Sequence, residues 1–146
     1  MRTAEPEVIE RSAEKTHRWI DEVAAELGDD DRRHAYRALK SVLHTLRDRM
    51  PVNETAKLAS QLPEFLRGAF YEDWVPAHVP ERYRSREELL DRIARDAGLA
   101  GETEASYVLA SVMNVLRRHV SAGEIEDVVA VMPADIATLL AAKPAD

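Results

Sequence analysis

Histidine and acidic residues at helical spacing are the first candidates for chemistry in this chain. Glu14 and His17 have the Glu-x-x-His spacing, which places a carboxylate and an imidazole on one helical face, as in carboxylate-bridged di-iron bundles. Such a site needs a second pair of this kind, and the nearest substitute is Asp31 with His34. This spacing is common by chance in a polar helix. Glu14, His17 and His34 are therefore weak metal candidates, and we expect no metal ion or other cofactor.

Other catalytic chemistry finds little support in the sequence. The chain has no cysteine, which excludes disulfides, thiolate metal sites and cysteine nucleophiles. Its five glycines are scattered and form no phosphate-binding loop. No serine or threonine stands out as the partner of a histidine base. The sequence leaves enzymatic activity open but favours a protein without a catalytic site.

A stretch rich in aromatic and basic side chains is the sharpest candidate for a binding surface. Its candidate binding residues are Tyr71, Trp74, Arg82, Tyr83 and Arg84. Aromatic residues and arginine anchor many protein interfaces, and arginine beside an aromatic ring can hold an anionic ligand. Buried aromatic residues mostly serve packing, so the alternative is a structural seal between two parts of the protein. Both interpretations stay open.

The helices that must position these residues belong to an internal sequence repeat. Residues 89–140 align with residues 19–70 at an offset of seventy, without a gap. Identical pairs include Gly28/Gly98, Leu39/Leu109, Ser41/Ser111, Arg47/Arg117, Glu54/Glu124 and Pro63/Pro133. A fixed-offset repeat predicts two copies of one helical unit, and units of this size bury too little surface to be stable alone. We therefore expect the two copies to share one core.

Helical periodicity predicts four helices in each copy. In the first copy they are residues 7–27 with an apolar stripe from Ile9 to Leu27, a helix opened by the acids at 29–31 that runs to about Arg49, and then residues 54–61 and 63–70. In the second copy they are 86–97, about 103–119, a helix capped by Ser121 with Glu124, and a helix opening at Pro133. Strand signals are absent from the sequence.

The predicted fold is therefore all-α, with two tandem pseudo-symmetric helical repeats packed as one helical bundle domain. We expect a single domain over residues 1–146. Its parts are repeat one (19–70), an aromatic connector (71–88), repeat two (89–140) and an extension of the first helix (7–18).

Composition and charge narrow the classes of partner. The formal net charge of −7 argues against nucleic-acid binding, which depends on neutralising phosphates. No apolar run approaches the roughly 20 residues that span a bilayer, and the charged first residues lack the apolar region of a signal peptide. We expect a cytoplasmic protein that does not enter a membrane.

Five runs of sequence carry a family resemblance: KTHRWIDEVAAELG (15–28), DDRRHAYRALKSVLHTLRDRMP (30–51), residues 56–76, PERYRSREELLDRIA (80–94) and GEIEDVVAVMPADI (123–136). Together they resemble the bacterial domain-of-unknown-function 2267 family (DUF2267) over nearly the whole chain. The resemblance implies a compact helical bacterial protein and brings no catalytic residues with it. The family typically has glycine where this chain has Asp73, so the local turn geometry is in question there.

Two functions remain from the sequence. The favoured one is a non-catalytic protein-interaction or regulatory module that acts through a protein partner or through self-association. The alternative is a small-ligand or metal-binding protein, possibly an enzyme, that uses a cleft between the two repeats. A convergence of the candidate residues on one pocket would favour the alternative.

Overall fold

The computed structural model describes residues 6–142, and every regular element in that range is helical. A single 3-10 turn, Pro76–His78, lies in the connector. The α-helices are α1 (Glu7–Leu27), α2 (Arg32–Asp48), α3 (Val52–Ala59), α4 (Glu64–Tyr71), α5 (Arg86–Ala97), α6 (Glu102–His119), α7 (Ala122–Ala130) and α8 (Ala134–Ala141). The all-α prediction is confirmed. None of these helices is long and apolar enough to cross a membrane.

The four long helices form the centre of the bundle. Helix α1 packs against α2 and α6, and α5 packs against the same two helices. The short helices cover this centre: α4 lies on α1 and α2, α8 lies on α5, and α3 packs against α7. One apolar core runs through the bundle, and its largest fully buried side chains are Phe70, Leu39, Leu43, Leu46, Met50, Leu58, Leu66, Leu89, Ile93, Leu116, Ile136 and Leu140.

Helix boundaries recur at the predicted offset of seventy residues. Helices α1 and α5 both end at a glycine in the left-handed region, Gly28 with φ 68° and Gly98 with φ 69°. Glycine is favoured there because it has no Cβ to clash with the backbone. Helices α2 and α6 begin at Arg32 and Glu102, and α3 and α7 begin at Val52 and Ala122. The pseudo-symmetry of the two copies in space stays a prediction.

Two equivalent arginines cap equivalent short helices. Arg47 is buried and donates hydrogen bonds from Nη1 to the carbonyl oxygens of Phe70 (2.8 Å) and Glu72 (2.7 Å), at the end of α4. Arg117 likewise donates to the carbonyl oxygen of Leu140, in the last turn of α8. The last carbonyls of a helix have no partner within the helix, and a cation there also interacts favourably with the negative end of the helix dipole. These arginines therefore hold the short helices on the long ones.

The structure corrects two details of the predicted helices. Helix α3 begins two residues before the predicted Glu54, directly after Pro51, which leaves Glu54 in its first turn. Ile9 belongs to the predicted apolar stripe of α1, yet it is 56% exposed, because the first turns of α1 extend past the core. The apolar stripe of α1 thus extends in the sequence to Ile9, where no described helix covers it.

The turn after α4 keeps the geometry that glycine favours, although aspartate occupies it. Asp73 has φ 62°, in the left-handed region. Aspartate enters this region more readily than most residues, because its short polar side chain can bond locally. The turn at Asp73 is therefore left-handed, the geometry that a glycine at this position would favour.

Candidate functional site

Among the predicted binding residues, Tyr83 lies inside the protein. Its ring is buried, its hydroxyl donates to the carbonyl oxygen of Thr45 (2.6 Å), and its own carbonyl accepts from Arg49 Nε (2.7 Å). Arg92 lies over the ring at 4.6 Å from its centroid. Burial raises the pKa of the Tyr83 hydroxyl. Tyr83 thus fastens the connector to the end of α2, as expected of a structural seal.

The other four predicted residues divide between packing and solvent. The half-buried rings of Tyr71 and Trp74 lie 5.2 Å apart, and Tyr71 also packs against Phe70 at 5.7 Å. Arg82 and Arg84 are exposed and form no ion pair with any described residue. A binding role for these residues stays a prediction.

The weak metal candidates do not meet as a ligand set. Glu14 and His17 are exposed on α1, where they line a shallow groove together with Asp21 and Glu22. His34 is half-buried in the first turn of α2, and its backbone N–H is held by the carboxylate of Asp31. Within residues 6–142, three potential ligand atoms come within 4.8 Å of one another only at Glu54, Glu124 and Asp127.

A polar cleft of about 510 Å³ lies elsewhere in the bundle, against the extended half of α1. We call it the α1 cleft. One wall is α1, the opposite wall is the corner between α3 and α4, and His119, at the end of α6, lines the floor. Its lining residues are Val8, Arg11, Ser12, Lys15, Arg18, Trp19, Ser60, Gln61, Leu62, Pro63, Glu64, Arg67 and His119. Both copies of the repeat therefore contribute to this cleft.

Basic side chains dominate the α1 cleft. Arg11, Lys15 and Arg18 follow one another at intervals of four and three residues, so they form a row of roughly 10 Å along one face of α1. Lys15 and Arg18 form no ion pair with a described residue, and Arg11 has only an exposed partner, Glu7, at 3.7 Å. One acid, Glu64, lines the cleft. In a chain of net charge −7 this is a local excess of positive charge.

The opposite wall holds a cation in fixed position. Arg67 is half-buried and donates from Nε to the carbonyl oxygen of Ala59 (2.9 Å) and from Nη2 to that of Leu62 (3.1 Å). Ala59 is the last residue of α3 and Leu62 lies in the turn that follows it, so the arginine closes the corner between α3 and α4. A guanidinium has five N–H donors, which leaves others available to a ligand. Arg67 needs no reordering to bind an anion.

The floor of the cleft is a stacked pair of rings. Trp19 and His119 lie with ring centroids 4.6 Å apart and planes inclined by 18°. The Nε2 atom of His119 contacts the carboxylate of Glu22, which holds the imidazole in place. Trp19 is only 4% exposed, so it supports the floor from below while the imidazole faces the cleft.

The two hydroxyl groups of the cleft are occupied by the backbone. Ser12 Oγ accepts from the backbone N–H of Phe65 (2.9 Å), and Ser60 Oγ donates to the carbonyl oxygen of Lys57 (2.6 Å). Neither hydroxyl bonds to His119 among the described residues, so the nucleophile and base of an acyl-transfer site are not assembled. The arrangement is suited to holding an anion by charge-assisted hydrogen bonds.

Reasoning from the sequence missed the α1 cleft, although a signal was present. The repeat begins at residue 19, so three of the cleft cations lie before it in the extension of α1, while Arg67 lies inside it. At the offset of seventy, each cleft cation corresponds to a residue that is not basic, in the pairs Arg11/Glu81, Lys15/Ser85, Arg18/Glu88 and Arg67/Ala137. The cleft cations thus have no basic counterpart at the offset of seventy.

Comparison with known proteins gives one result. The family model of DUF2267, which is described as an uncharacterized conserved protein, matches residues 16–139. No curated protein matches the chain.

Proposed function

The chain belongs to the DUF2267 family, and we propose that it binds a small anionic molecule in the α1 cleft without transforming it. The observation that carries this proposal is the convergence of Arg11, Lys15, Arg18 and Arg67 on one concave surface of an acidic protein. This is the ligand-binding alternative that the sequence leaves open, set in a cleft to which both repeats contribute.

Electrostatics favour an anion at this place. Cations gathered in a cleft with low-dielectric walls focus the potential and concentrate anions there. Arg67 is fixed by its two backbone hydrogen bonds, so it pays little entropy on binding. Lys15 and Arg18 have no protein partner to give up among the described residues.

Size and charge together select the class of ligand. A cleft of about 510 Å³ lies in the range of small-molecule sites. The row of cations on α1 spans roughly 10 Å, which suits a ligand carrying two or more phosphate or carboxylate groups. A long polyanion such as a nucleic acid must also cross the surrounding surface, where the net charge of −7 repels it.

Calorimetric titration with inorganic tripolyphosphate at low ionic strength tests the proposal. The double variant Lys15→Gln/Arg18→Gln removes two cleft cations, and the double variant Arg33→Gln/Arg95→Gln removes two exposed cations outside the cleft. Both variants have the same net charge. We expect the first to lose tenfold or more in affinity, since one charge-assisted contact is worth about 1.5–3 kcal/mol, and the second to bind nearly as the wild type does. Equal losses would show a general charge effect and defeat the proposal.

A protein partner is the second candidate, and it rests on exposed apolar side chains. Ile9 on α1 and Phe65 on α4 are 56% and 58% exposed, and the backbone of Phe65 is hydrogen-bonded to Ser12 of α1. Large exposed apolar side chains are typical of interfaces. Sedimentation analysis of the wild type and of Phe65→Ser tests self-association here. A concentration-dependent dimer in the wild type alone supports this candidate, and a monomer in both rejects self-association.

We expect the protein to act in the bacterial cytoplasm. The expectation rests on the absence of cysteine, which gives no sign of an oxidising compartment, and on the bacterial family that the chain resembles.

A further inference from the structure

A group of charged side chains lies where α3 packs against α7, on the junction of the two copies. Glu54 and Glu124 occupy equivalent positions in the repeat, each in the first turn of its helix. Their side chains are 8% and 4% exposed. Two carboxylates that face each other inside a protein are costly unless charge or hydrogen bonds compensate them.

Lys57 is the one lysine in this group, and it forms ion pairs with all three acids. Lys57 Nζ lies 2.7 Å from Asp127 Oδ2, but 3.5 Å from Glu54 Oε2 and 3.6 Å from Glu124 Oε1. Its close partner is thus the exposed Asp127, and this hydrogen bond raises the pKa of Lys57 to about 12. The ammonium group of Lys57 therefore compensates the two buried carboxylates less strongly than it compensates Asp127.

The second oxygen of each buried carboxylate has no partner. Glu54 Oε1 and Glu124 Oε2 are fully buried and accept no hydrogen bond. A buried acceptor without a partner costs free energy that solvent or a ligand normally recovers. These two oxygens are an observation separate from the clustering of acids, and they point to a missing positively charged group.

The spacing of the oxygens fits a metal ion. One oxygen from each of Glu54, Glu124 and Asp127 lies within 4.8 Å of the others. Calcium binds oxygen at 2.3–2.6 Å, so ligands on opposite sides of the ion are about 5 Å apart. Carboxylates without histidine or cysteine favour a hard cation such as Ca²⁺, Mg²⁺ or Mn²⁺. Asp127 and Lys57 are about half exposed, which leaves an entry path and room for water ligands.

We propose that Glu54, Glu124 and Asp127 bind one divalent hard cation, with calcium as the best fit, and that the cation clamps α3 onto α7. Lys57 turns outward when the ion enters, because about half of its long side chain is exposed to solvent. The site is independent of the α1 cleft, since the two share no residue.

The competing occupant is a proton shared by the two glutamates. Burial, together with Glu54, raises the pKa of Glu124 to about 7. A proton satisfies the pair only below that pH. Cation binding is therefore best measured at pH 8.

The test is calorimetric titration of the full chain with CaCl₂ at pH 8, after the protein has been freed of metal by a chelator. Thermal unfolding with and without Ca²⁺, Mn²⁺ or Mg²⁺ is the second readout. Glu124→Gln removes a buried ligand, and Glu126→Gln removes an exposed acid from the same helix with the same change of charge. Glu124→Gln also removes a like-charge contact, so we expect it to fold at least as stably as the wild type without metal.

We expect one Ca²⁺ per chain and a rise in Tm of about 5 °C or more at saturating calcium. Both effects should persist in Glu126→Gln and disappear in Glu124→Gln. Absence of binding at concentrations up to about 10 mM, beyond even weak calcium modules, would overturn the proposal and leave the shared proton as the occupant. Equal binding by the two variants would overturn it too.

Discussion

Arg49 and His119 occupy equivalent positions at the ends of α2 and α6, yet their surroundings differ. Arg49 is buried, and its guanidinium donates to the carbonyl oxygen of Tyr83 in the connector. His119 stacks on Trp19 and lines the α1 cleft. The same position of the repeat is thus closed by the connector in one copy and left open in the other.

The comparison separates the interactions that recur at the offset of seventy from those that do not. Interactions that hold the helices recur in both copies, such as the left-handed glycines after α1 and α5 and the arginine caps on α4 and α8. The segments without a counterpart are the connector and the extension of α1. The connector supplies a seal, and the extension supplies three of the cleft cations.

The arginine caps give the largest expected contrast in stability. We expect Arg47→Ala to cost about 3–5 kcal/mol in the free energy of unfolding, because it removes a buried guanidinium and leaves the buried carbonyl of Phe70 and the carbonyl of Glu72 without this donor. Arg117 is exposed, so Arg117→Ala should cost about 1 kcal/mol. Urea unfolding of both variants measures the difference. Equal costs would mean that the two caps are energetically equivalent.

The α3–α7 junction predicts a loss of stability as the pH rises. The pKa of Glu124 is raised in the folded protein from 4.5 to about 7, so the folded state holds its proton more tightly than the unfolded state. Stability should therefore fall by roughly 3 kcal/mol at most between about pH 4.5 and pH 7, in the presence of chelator. Urea unfolding at pH 5 and pH 8 measures this fall. It should shrink in Glu124→Gln and persist in Glu126→Gln.

The seal at Tyr83 predicts a smaller effect. Tyr83→Phe removes a hydrogen bond to the carbonyl of Thr45 in a buried place and should cost about 1–2 kcal/mol. Tyr107 is the matched control, since its hydroxyl donates to the carbonyl of Glu26 (2.9 Å) but its side chain is 55% exposed. We expect Tyr107→Phe to change stability by less than about 0.5 kcal/mol in the same unfolding experiment. Similar losses of stability in the two variants would show that the buried hydroxyl of Tyr83 contributes no more than the exposed one of Tyr107.

The turn at Asp73 predicts the smallest change. Asp73→Gly should stabilise the protein by up to about 1 kcal/mol, because glycine takes the left-handed conformation without strain but loses more chain entropy on folding. Asp73→Val should destabilise it by about 1–2 kcal/mol, since a β-branched residue is disfavoured at this φ. Thermal unfolding of both variants gives the sign. Destabilisation by glycine would contradict the strain argument.

The sequence predicted the helices well because local signals determine them. The glycines at 28 and 98 and the prolines at 51, 63 and 133 punctuate apolar stripes of helical period. Ser121 caps α7 as predicted, by accepting from the backbone N–H of Glu124 (3.2 Å). The reciprocal half of the capping box is missing, because the N–H of Ser121 donates to Gln61 Oε1 (2.8 Å).

The candidate site was harder to predict because long-range packing creates it. The carboxylate of Glu124 does not bond to the N–H of Ser121 and instead lies close to that of Glu54, seventy residues away in the sequence. Helical periodicity carries no information on that contact. The α1 cleft likewise joins residues from α1, the α3–α4 corner and α6. From the sequence alone, exposed basic residues on one helix predict only a solvated helix face. The helices that pack beside them decide whether they line a cleft.

The two tryptophans of the chain allow the central claim to be tested in one experiment. Trp19 supports the floor of the α1 cleft, and Trp74 lies in the connector beside Tyr71. The measurement is a titration of ¹⁵N-labelled protein with inorganic tripolyphosphate, followed through the two indole N–H signals. We predict a saturable shift of the Trp19 signal, with the Trp74 signal unchanged. A shift of Trp74 alone would place anion binding at the connector and contradict the account, as would the absence of any shift.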